Sequence, residues 1–115
     1  YNYEAKYQDE SAIRVAIPAQ ISNTIHQQRR ALCEKAFLTL KCNDFARVDI
    51  FLTPKNEIFI NEINTIPGFT DASMFPGLWE NMGISYPELI SKIIEIGEER
   101  WQREQQYITD LNSSN

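Results

Sequence analysis

Alternation of apolar and polar residues is the strongest pattern in the chain, and it predicts a β-hairpin. From Ala46 to Leu52, apolar residues alternate with Arg47, Asp49 and Phe51. A second alternating run spans Ile58 to Asn64, and the turn-forming string Thr-Pro-Lys-Asn-Glu separates the two runs. Period-two alternation on both sides of a turn is typical of a hairpin. The second run sets Ile58, Ile60, Glu62 and Asn64 against Phe59, Asn61 and Ile63.

The pairing of the two strands decides which side chains face one another. A four-residue turn over residues 54–57 makes the numbers of paired residues sum to a constant, so Asp49 lies opposite Glu62 and Arg47 opposite Asn64. Opposed residues share a face, with Cβ atoms roughly 5 Å apart. Two carboxylates at that distance repel each other unless a cation lies between them. A one-residue slip would separate the two acids.

The polar face of this hairpin has two interpretations. Carboxylate and amide oxygens are the ligands that Mg²⁺ takes, usually together with substrate phosphates. Asp49, Glu62 and Asn64 are therefore candidate metal ligands. In the other interpretation, the acids belong to a solvated hairpin face and point into water. Spacing alone does not separate the two.

Periodicity before the hairpin predicts a strand and a helix that pack with it. Residues Ala12 to Ile17 alternate as a strand that Pro18 ends. Ser22 can cap a helix that runs to about Leu40 and turns one apolar stripe toward the sheet. The order strand, helix, hairpin, helices predicts an α+β fold, an antiparallel sheet with helices packed on it. The stripe consists of Ile25, Leu32, Cys33, Ala36, Phe37 and Leu40.

Turn and cap signals organise the chain after the hairpin. Residues 65–73 form an irregular loop centred on Pro67-Gly68. A short helix over residues 75–82 is expected to end at Gly83 in the left-handed conformation. Ser85 to Glu88 matches a capping box and begins the final helix.

The last residues become polar, and they suggest a domain boundary. Apolar helix positions reach Trp101, but the sequence after Arg103 is mostly polar. We therefore divide the chain into residues 1–104, one folded segment, and residues 105–115, a polar tail with a frayed end.

Composition excludes several classes of function. A chain of 115 residues buries one modest core. Its net charge of −5 argues against nucleic acid, whose phosphates need clustered Lys and Arg. No apolar run approaches the ~20 residues of a membrane span. Cys33 and Cys42 form no C-x-x-C pair, which fits reduced thiols in the cytosol.

Three blocks of sequence resemble the D-alanine–D-alanine ligases of the ATP-grasp superfamily. They are Tyr3–Tyr7, Asn61–Pro76 and Gly83–Ile90, in the family's order and spacing. The resemblance extends from Tyr1 to about Trp101. It implies the C-terminal subdomain of an ATP-grasp fold and the ATP-dependent joining of two D-alanines through a D-alanyl phosphate. It also implies a cytoplasmic enzyme that supplies peptidoglycan synthesis.

The resemblance assigns roles to the hairpin and to the loop after it. Asp49, Glu62 and Asn64 match the ligands of two Mg²⁺ or Mn²⁺ ions, with Glu62 bridging them. Arg47 matches an arginine that contacts the transferring phosphate, and Gly68 matches a glycine whose N–H completes an oxyanion hole. The plainer alternatives are a salt bridge from Arg47 to the acids and a simple Pro-Gly turn.

Further positions match substrate contacts of the family. Ser73 and Met74 match the residues that hold the carboxylate of the second D-alanine, and Ser73 joins Arg47 and Gly68 as an implied catalytic residue. Lys6 matches a lysine near that carboxylate and the γ-phosphate. Tyr7 matches a tyrosine that closes the active-site loop, and it favours D-alanine as second substrate.

Two weaker matches concern the nucleotide, and the remaining expectations concern the whole enzyme. Ile60 and Asn61 match the strand that lies against adenine and ribose. Because the family is about three domains long, we expect this chain to be a C-terminal piece that is inactive alone and part of a homodimer. The alternatives are a D-serine or D-lactate ligase, another ATP-grasp ligase, and a non-enzymatic binding module.

Overall fold

The structure, a computed structural model, describes residues 16–114, which form an α+β arrangement. The two strands pair in one antiparallel sheet, and the first helix contacts the second strand. This confirms the predicted fold class. Of the predicted strand over residues 12–17, the first four residues lie outside the described part, and the last two are not in a strand. In chain order the elements are α1 (Asn23–Thr39), β1 (Arg47–Leu52), β2 (Ile58–Asn64), α2 (Met74–Asn81) and α3 (Tyr86–Ser113).

Helix α1 begins where its cap was predicted and ends just before Leu40. The Ser22 hydroxyl accepts a hydrogen bond from the Ile25 N–H at 3.3 Å. At the other end, Lys41 takes a left-handed conformation with φ 54°, and its N–H donates to the Leu38 carbonyl. Leu40 is 65% exposed, so its assignment to the buried stripe is wrong. Leu40 is the C-cap residue, with φ −84° and ψ 4°, so the helical path ends before it.

The strand pairing confirms the predicted facing of the acids. Asp49 lies opposite Glu62 and Arg47 opposite Asn64. The register then shifts after Asp49 because β2 contains one more residue than β1, at Asn61. Such an insertion is a β-bulge, which bends a strand and changes which side chains share a face.

The turn of the hairpin is shorter than predicted. The Thr53 N–H donates to the Glu57 carbonyl at 3.0 Å, and the Thr53 carbonyl accepts from the Asn56 N–H at 2.9 Å. The loop is therefore the three residues Pro54–Asn56, with Asn56 left-handed at φ 63°. The predicted four-residue turn over residues 54–57 is wrong by one residue, and the bulge restores the register at the acids.

The bulge also sorts the two faces of the hairpin. Strict alternation would have placed Ile58 and Ile60 on the face of Glu62. Instead, Ile60 lies opposite Ile50, on the other face, so the apolar side chains gather on one side. That apolar face contains Val48, Ile50, Leu52, Ile58, Ile60 and Ile63, while Arg47, Asp49, Phe51, Phe59, Glu62 and Asn64 share the other.

Aromatic packing joins the loop after β2 to the last two helices. Phe75 is 6% exposed, and its ring centroid lies 5.6 Å from that of Phe45 and 5.4 Å from that of Phe69. The Tyr86 ring meets Phe69 edge-on, and its hydroxyl donates to the Phe69 carbonyl. Such contacts between rings add to the hydrophobic stabilisation of burial. The buried large apolar side chains of residues 16–114 are Ile25, Phe75 and Leu89.

Helix α3 begins with the predicted capping box and extends further than predicted. The Glu88 N–H donates to the Ser85 hydroxyl at 3.4 Å, and the Ser85 N–H donates to the Glu88 carboxylate at 3.1 Å. The predicted end of the preceding helix also agrees, since Gly83 follows α2 and is left-handed at φ 90°. The helix continues to Ser113, so the frayed end is wrong over residues 112–113. Gln, Glu and Arg are good helix formers despite their polarity.

Helix α3 passes across residue 104 without interruption. The division of the chain into two parts at that residue stays a prediction. Among the described residues, no helix has the length and apolar character needed to cross a membrane.

Candidate active site

The polar face of the hairpin brings one cation and two acids into contact. The Arg47 Nε donates to Asp49 Oδ1 at 2.8 Å, and its Nη2 donates to Asp49 Oδ2 at 3.1 Å. The same Nη2 reaches Glu62 Oε1 at 3.4 Å. The guanidinium therefore bridges the two facing carboxylates and offsets their repulsion. This geometry matches the plainer interpretation of Arg47, and it also gathers the oxygens that a metal would need.

Hydrogen bonding favours the charged form of this arginine. The bond to Asp49 raises the pKa of Arg47, and this effect exceeds the opposing cost of partial burial. The nearby charges of Asp49 and Glu62 act in the same direction. The Arg47 side chain is 22% exposed, Asp49 34% and Glu62 56%, so the cluster is open to an incoming ligand.

The donor set fits a divalent cation that also binds a phosphorylated ligand. Within residues 16–114, no group of three or more His, Cys, Asp or Glu side chains could hold a metal ion, so this site has fewer than three such ligands. Asp49 and Glu62 contribute carboxylate oxygens, and Asn64 adds an amide oxygen on the same face. Mg²⁺ is commonly bound by one or two carboxylates, with phosphates and water completing the shell. The hairpin has the chemistry of such a partial site.

Asn64 links the hairpin to the loop that follows. Its Oδ1 accepts a hydrogen bond from the Ile66 N–H at 3.1 Å. This side-chain turn directs the chain out of β2. A carbonyl oxygen has two lone pairs, and the bond to Ile66 uses one of them.

The loop after β2 brings Gly68 and Ser73 together. A Cβ atom at Gly68 would lie 2.8 Å from the Ser73 Oγ, which is too close for any side chain without movement. Ser73 precedes α2 in the N-cap position, and its hydroxyl contacts Thr70 instead of the helix. Met74, the first residue of α2, is 55% exposed. Three predicted site residues thus lie within one short segment.

Two residues that hold this loop, Thr70 within it and Tyr86 at the start of α3, were not anticipated from the sequence. Thr70 binds the Ser73 hydroxyl, and Tyr86 fixes the loop through the Phe69 carbonyl. Thr70 stands three residues before Ser73, a spacing at which polar side chains can bond locally. Tyr86 is 17 positions from Phe69, and nothing in the sequence indicated that contact.

Two predicted site residues, Ile60 and Asn61, lie away from these clusters, and two others fall outside the part of the chain that the structure describes. The side chain of Ile60 lies on the apolar face, opposite the face of Glu62. Asn61 sits at the bulge between the two registers and is exposed. Lys6 and Tyr7 lie outside the described residues. The roles of all four stay predictions.

Solved structures show which class of protein has this arrangement. A D-alanine–D-alanine ligase from Coxiella burnetii matches with a TM-score of 0.76 and 40% identity over 80% of this chain and 27% of that one. A D-alanine–D-alanine ligase from Bacillus anthracis, complexed with ATP, matches with a TM-score of 0.70 and 27% identity over 74% and 30%. The fold is thus that of the C-terminal part of an ATP-grasp ligase.

Sequence comparison names the family. The model of the D-Ala–D-Ala ligase C-terminus matches residues 1–95, and the chain belongs to that family. A D-alanine–D-alanine ligase of Oceanobacillus iheyensis is 52% identical over 92% of this chain. The D-alanine–D-alanine ligase A of Escherichia coli is 50% identical over 87% of it. The chain spans 29% and 28% of the length of these two relatives.

Proposed function

We propose that this chain supplies the cation and oxyanion half of the active site of an ATP-dependent D-alanine–D-alanine ligase. The facing pair Asp49 and Glu62, bridged by Arg47, is the observation that carries the proposal. It lies in a chain that belongs to the ligase family, and its oxygen donors suit a metal–nucleotide complex.

Asp49, Glu62 and Asn64 would hold two Mg²⁺ or Mn²⁺ ions, which neutralise negative charge on the phosphates of ATP when they are bound. Arg47 acts beside them. Its planar, permanently charged fork already gathers both carboxylates, and it suits contact with the oxygens of a transferring phosphate. Phosphoryl transfer depends mainly on such positioning and charge neutralisation.

The loop after the hairpin acts on the amino acids. Gly68 has no side chain, so its backbone N–H can approach the oxygen that becomes negative when the amine attacks. The Ser73 hydroxyl and the Met74 N–H hold the carboxylate of the second D-alanine. Lys6 and Tyr7 complete this pocket near the γ-phosphate, and Ile60 and Asn61 contribute to the nucleotide side.

The product serves peptidoglycan synthesis in the cytoplasm, and the full-length enzyme is a homodimer. D-serine is the alternative second substrate, because a solved structure named as the VanG D-Ala:D-Ser ligase from Enterococcus faecalis also matches, with a TM-score of 0.67 and 35% identity. Comparing D-alanine, D-serine and D-lactate as acceptors of the full-length enzyme distinguishes these specificities.

Replacing Glu62 by Gln in the full-length enzyme tests the proposal. The change removes one negative charge and keeps the shape, so we expect D-alanine-dependent ADP release to drop at least about 100-fold. The affinity for Mn²⁺, measured by electron paramagnetic resonance with ATP present, should weaken in parallel.

Glu57→Gln is the matched control, since Glu57 borders the turn of the same hairpin outside the polar cluster. It should leave activity and Mn²⁺ binding unchanged. Full activity in the Glu62 variant, with the circular-dichroism spectrum of a folded protein, would remove the metal assignment.

A further inference from the structure

Ser73 and Thr70 are joined by three hydrogen bonds across a single turn. The Ser73 N–H donates to the Thr70 carbonyl at 2.9 Å. The Thr70 N–H donates to the Ser73 Oγ, also at 2.9 Å, and the two hydroxyl oxygens lie 2.7 Å apart. Backbone and side chain of the serine are thus both fixed by one partner.

The Ser73 hydroxyl does not form the capping hydrogen bond that its position before a helix would allow. A serine before a helix ordinarily accepts a hydrogen bond from an N–H of the first turn. Ser22 and Ser85 do this before α1 and α3, at 3.3 and 3.4 Å. Ser73 makes no such bond before α2, and its hydroxyl points back to Thr70. The Ser73 hydroxyl therefore bonds to the loop residue Thr70 and does not cap α2.

The absence of a side chain at Gly68 leaves room for the Ser73 hydroxyl in this position. A methyl group at Gly68 would lie 2.8 Å from the Ser73 Oγ, so the hydroxyl occupies space that a larger residue would contest. The oxygen lies beside Gly68 and is held by its hydrogen bonds to Thr70. It therefore has a defined location before any ligand arrives.

Counting donors and acceptors shows what Thr70 must contribute when Ser73 binds a carboxylate. A hydroxyl has one hydrogen to donate and two lone pairs, whereas a carboxylate only accepts. The Thr70 N–H occupies one lone pair of the Ser73 Oγ. If Ser73 gives its hydrogen to a carboxylate, the 2.7 Å contact requires the Thr70 hydroxyl to donate into the second lone pair.

We propose that Thr70 is a positioning residue that directs the Ser73 hydroxyl hydrogen toward the carboxylate of the second amino acid. This rests on the proposed function, in which Ser73 holds that carboxylate. With both lone pairs filled by Thr70, the Ser73 hydrogen has one direction left. Donation by the Thr70 hydroxyl also polarises the serine, which strengthens its bond to an anion.

The test uses Thr70→Val and Thr70→Ser in the full-length enzyme, with initial rates measured as ADP release. Val keeps the branched shape and the N–H but lacks the hydroxyl, while Ser keeps the hydroxyl. For Thr70→Val we expect the KM for the second D-alanine to rise roughly three- to tenfold. The KM values for ATP and for the first D-alanine, and the kcat, stay near wild type. Thr70→Ser should restore the wild-type KM.

A double-mutant cycle with Ser73→Ala separates positioning from a general loss of structure. If Thr70 acts through Ser73, Thr70→Val should add little once the serine hydroxyl is gone. A loss that is equal for all three KM values, that also lowers kcat, or that persists in the Ser73→Ala background would overturn the inference. An unchanged KM in Thr70→Val would do so too. Absence of D-alanine-dependent ADP release in the wild type would instead show that the proposed function itself is wrong.

Discussion

The polar face of the hairpin and the loop over residues 65–73 are held in place by different forces. On the hairpin, the backbone ladder sets the positions of Asp49 and Glu62, and the charges sit on it partly exposed to water. In the loop, the backbone has no ladder, and its path is fixed by the half-buried Phe69 ring, which packs on buried Phe75, and by the Tyr86 hydroxyl. The first region is positioned locally, and the second by the rest of the fold.

This difference separates chemistry from stability. Ion pairs with exposed partners contribute between 0 and about 1 kcal/mol to folding, so hairpin charges can change with little effect on stability. In the loop, by contrast, the same side chains support both the folded structure and the geometry of the site. A change in its aromatic support should alter stability and site geometry together.

Replacing Phe75 by Ala should have the largest effect on stability. Phe75 is 6% exposed and contacts the rings of Phe45, Phe69 and Trp79, so the cavity left behind should cost about 3–5 kcal/mol. Urea denaturation of the chain measures the loss. Phe51→Ala, at a side chain 59% exposed on the hairpin, is the control, with an expected change below about 1 kcal/mol. Equal losses in the two variants would contradict the comparison.

Replacing Arg47 by Lys should affect activity far more than stability. Lysine keeps the charge but lacks the fork that spans Asp49 and Glu62, so we expect kcat of the full-length enzyme to decrease about 100-fold or more. The free energy of unfolding should change by less than about 1 kcal/mol. Arg30→Lys, in an exposed pair on α1, should change neither quantity. A stable, fully active Arg47 variant would show that the fork is not needed.

Replacing Gly68 by Ala should give a smaller effect on both quantities. The new methyl group would meet the Ser73 Oγ at 2.8 Å, so that hydroxyl has to move and its hydrogen bonds to Thr70 are strained, at a cost of about 1–3 kcal/mol. The KM for the second D-alanine should rise with it. Gly77→Ala is the matched control, because a Cβ there meets nothing within 4 Å. If the two alanine variants behave alike in thermal unfolding and in KM, the close approach at Gly68 has no consequence.

Much of the hairpin site could be predicted from the sequence. The side-chain period of a strand is two, so one pairing assumption places Asp49 against Glu62 and Arg47 against Asn64, as the structure has them. The turn length was wrong, and the bulge at Asn61 was invisible in the alternation. The shorter turn shifts the strand pairing by one residue, and the bulge shifts it back by one, which is why the acids still face each other.

The sequence by itself determined the helix caps, the hairpin, the facing acids and the family, because each depends on residues close in the chain or on a short motif. Tertiary structure alone decided that Ile60 turns away from Glu62 and that Tyr86 fixes the loop through Phe69. It also decided that the Ser73 hydroxyl binds Thr70 instead of capping α2. Local periodicity cannot anticipate such choices, since they depend on packing between segments and on which of several hydrogen-bond partners the folded chain brings closest.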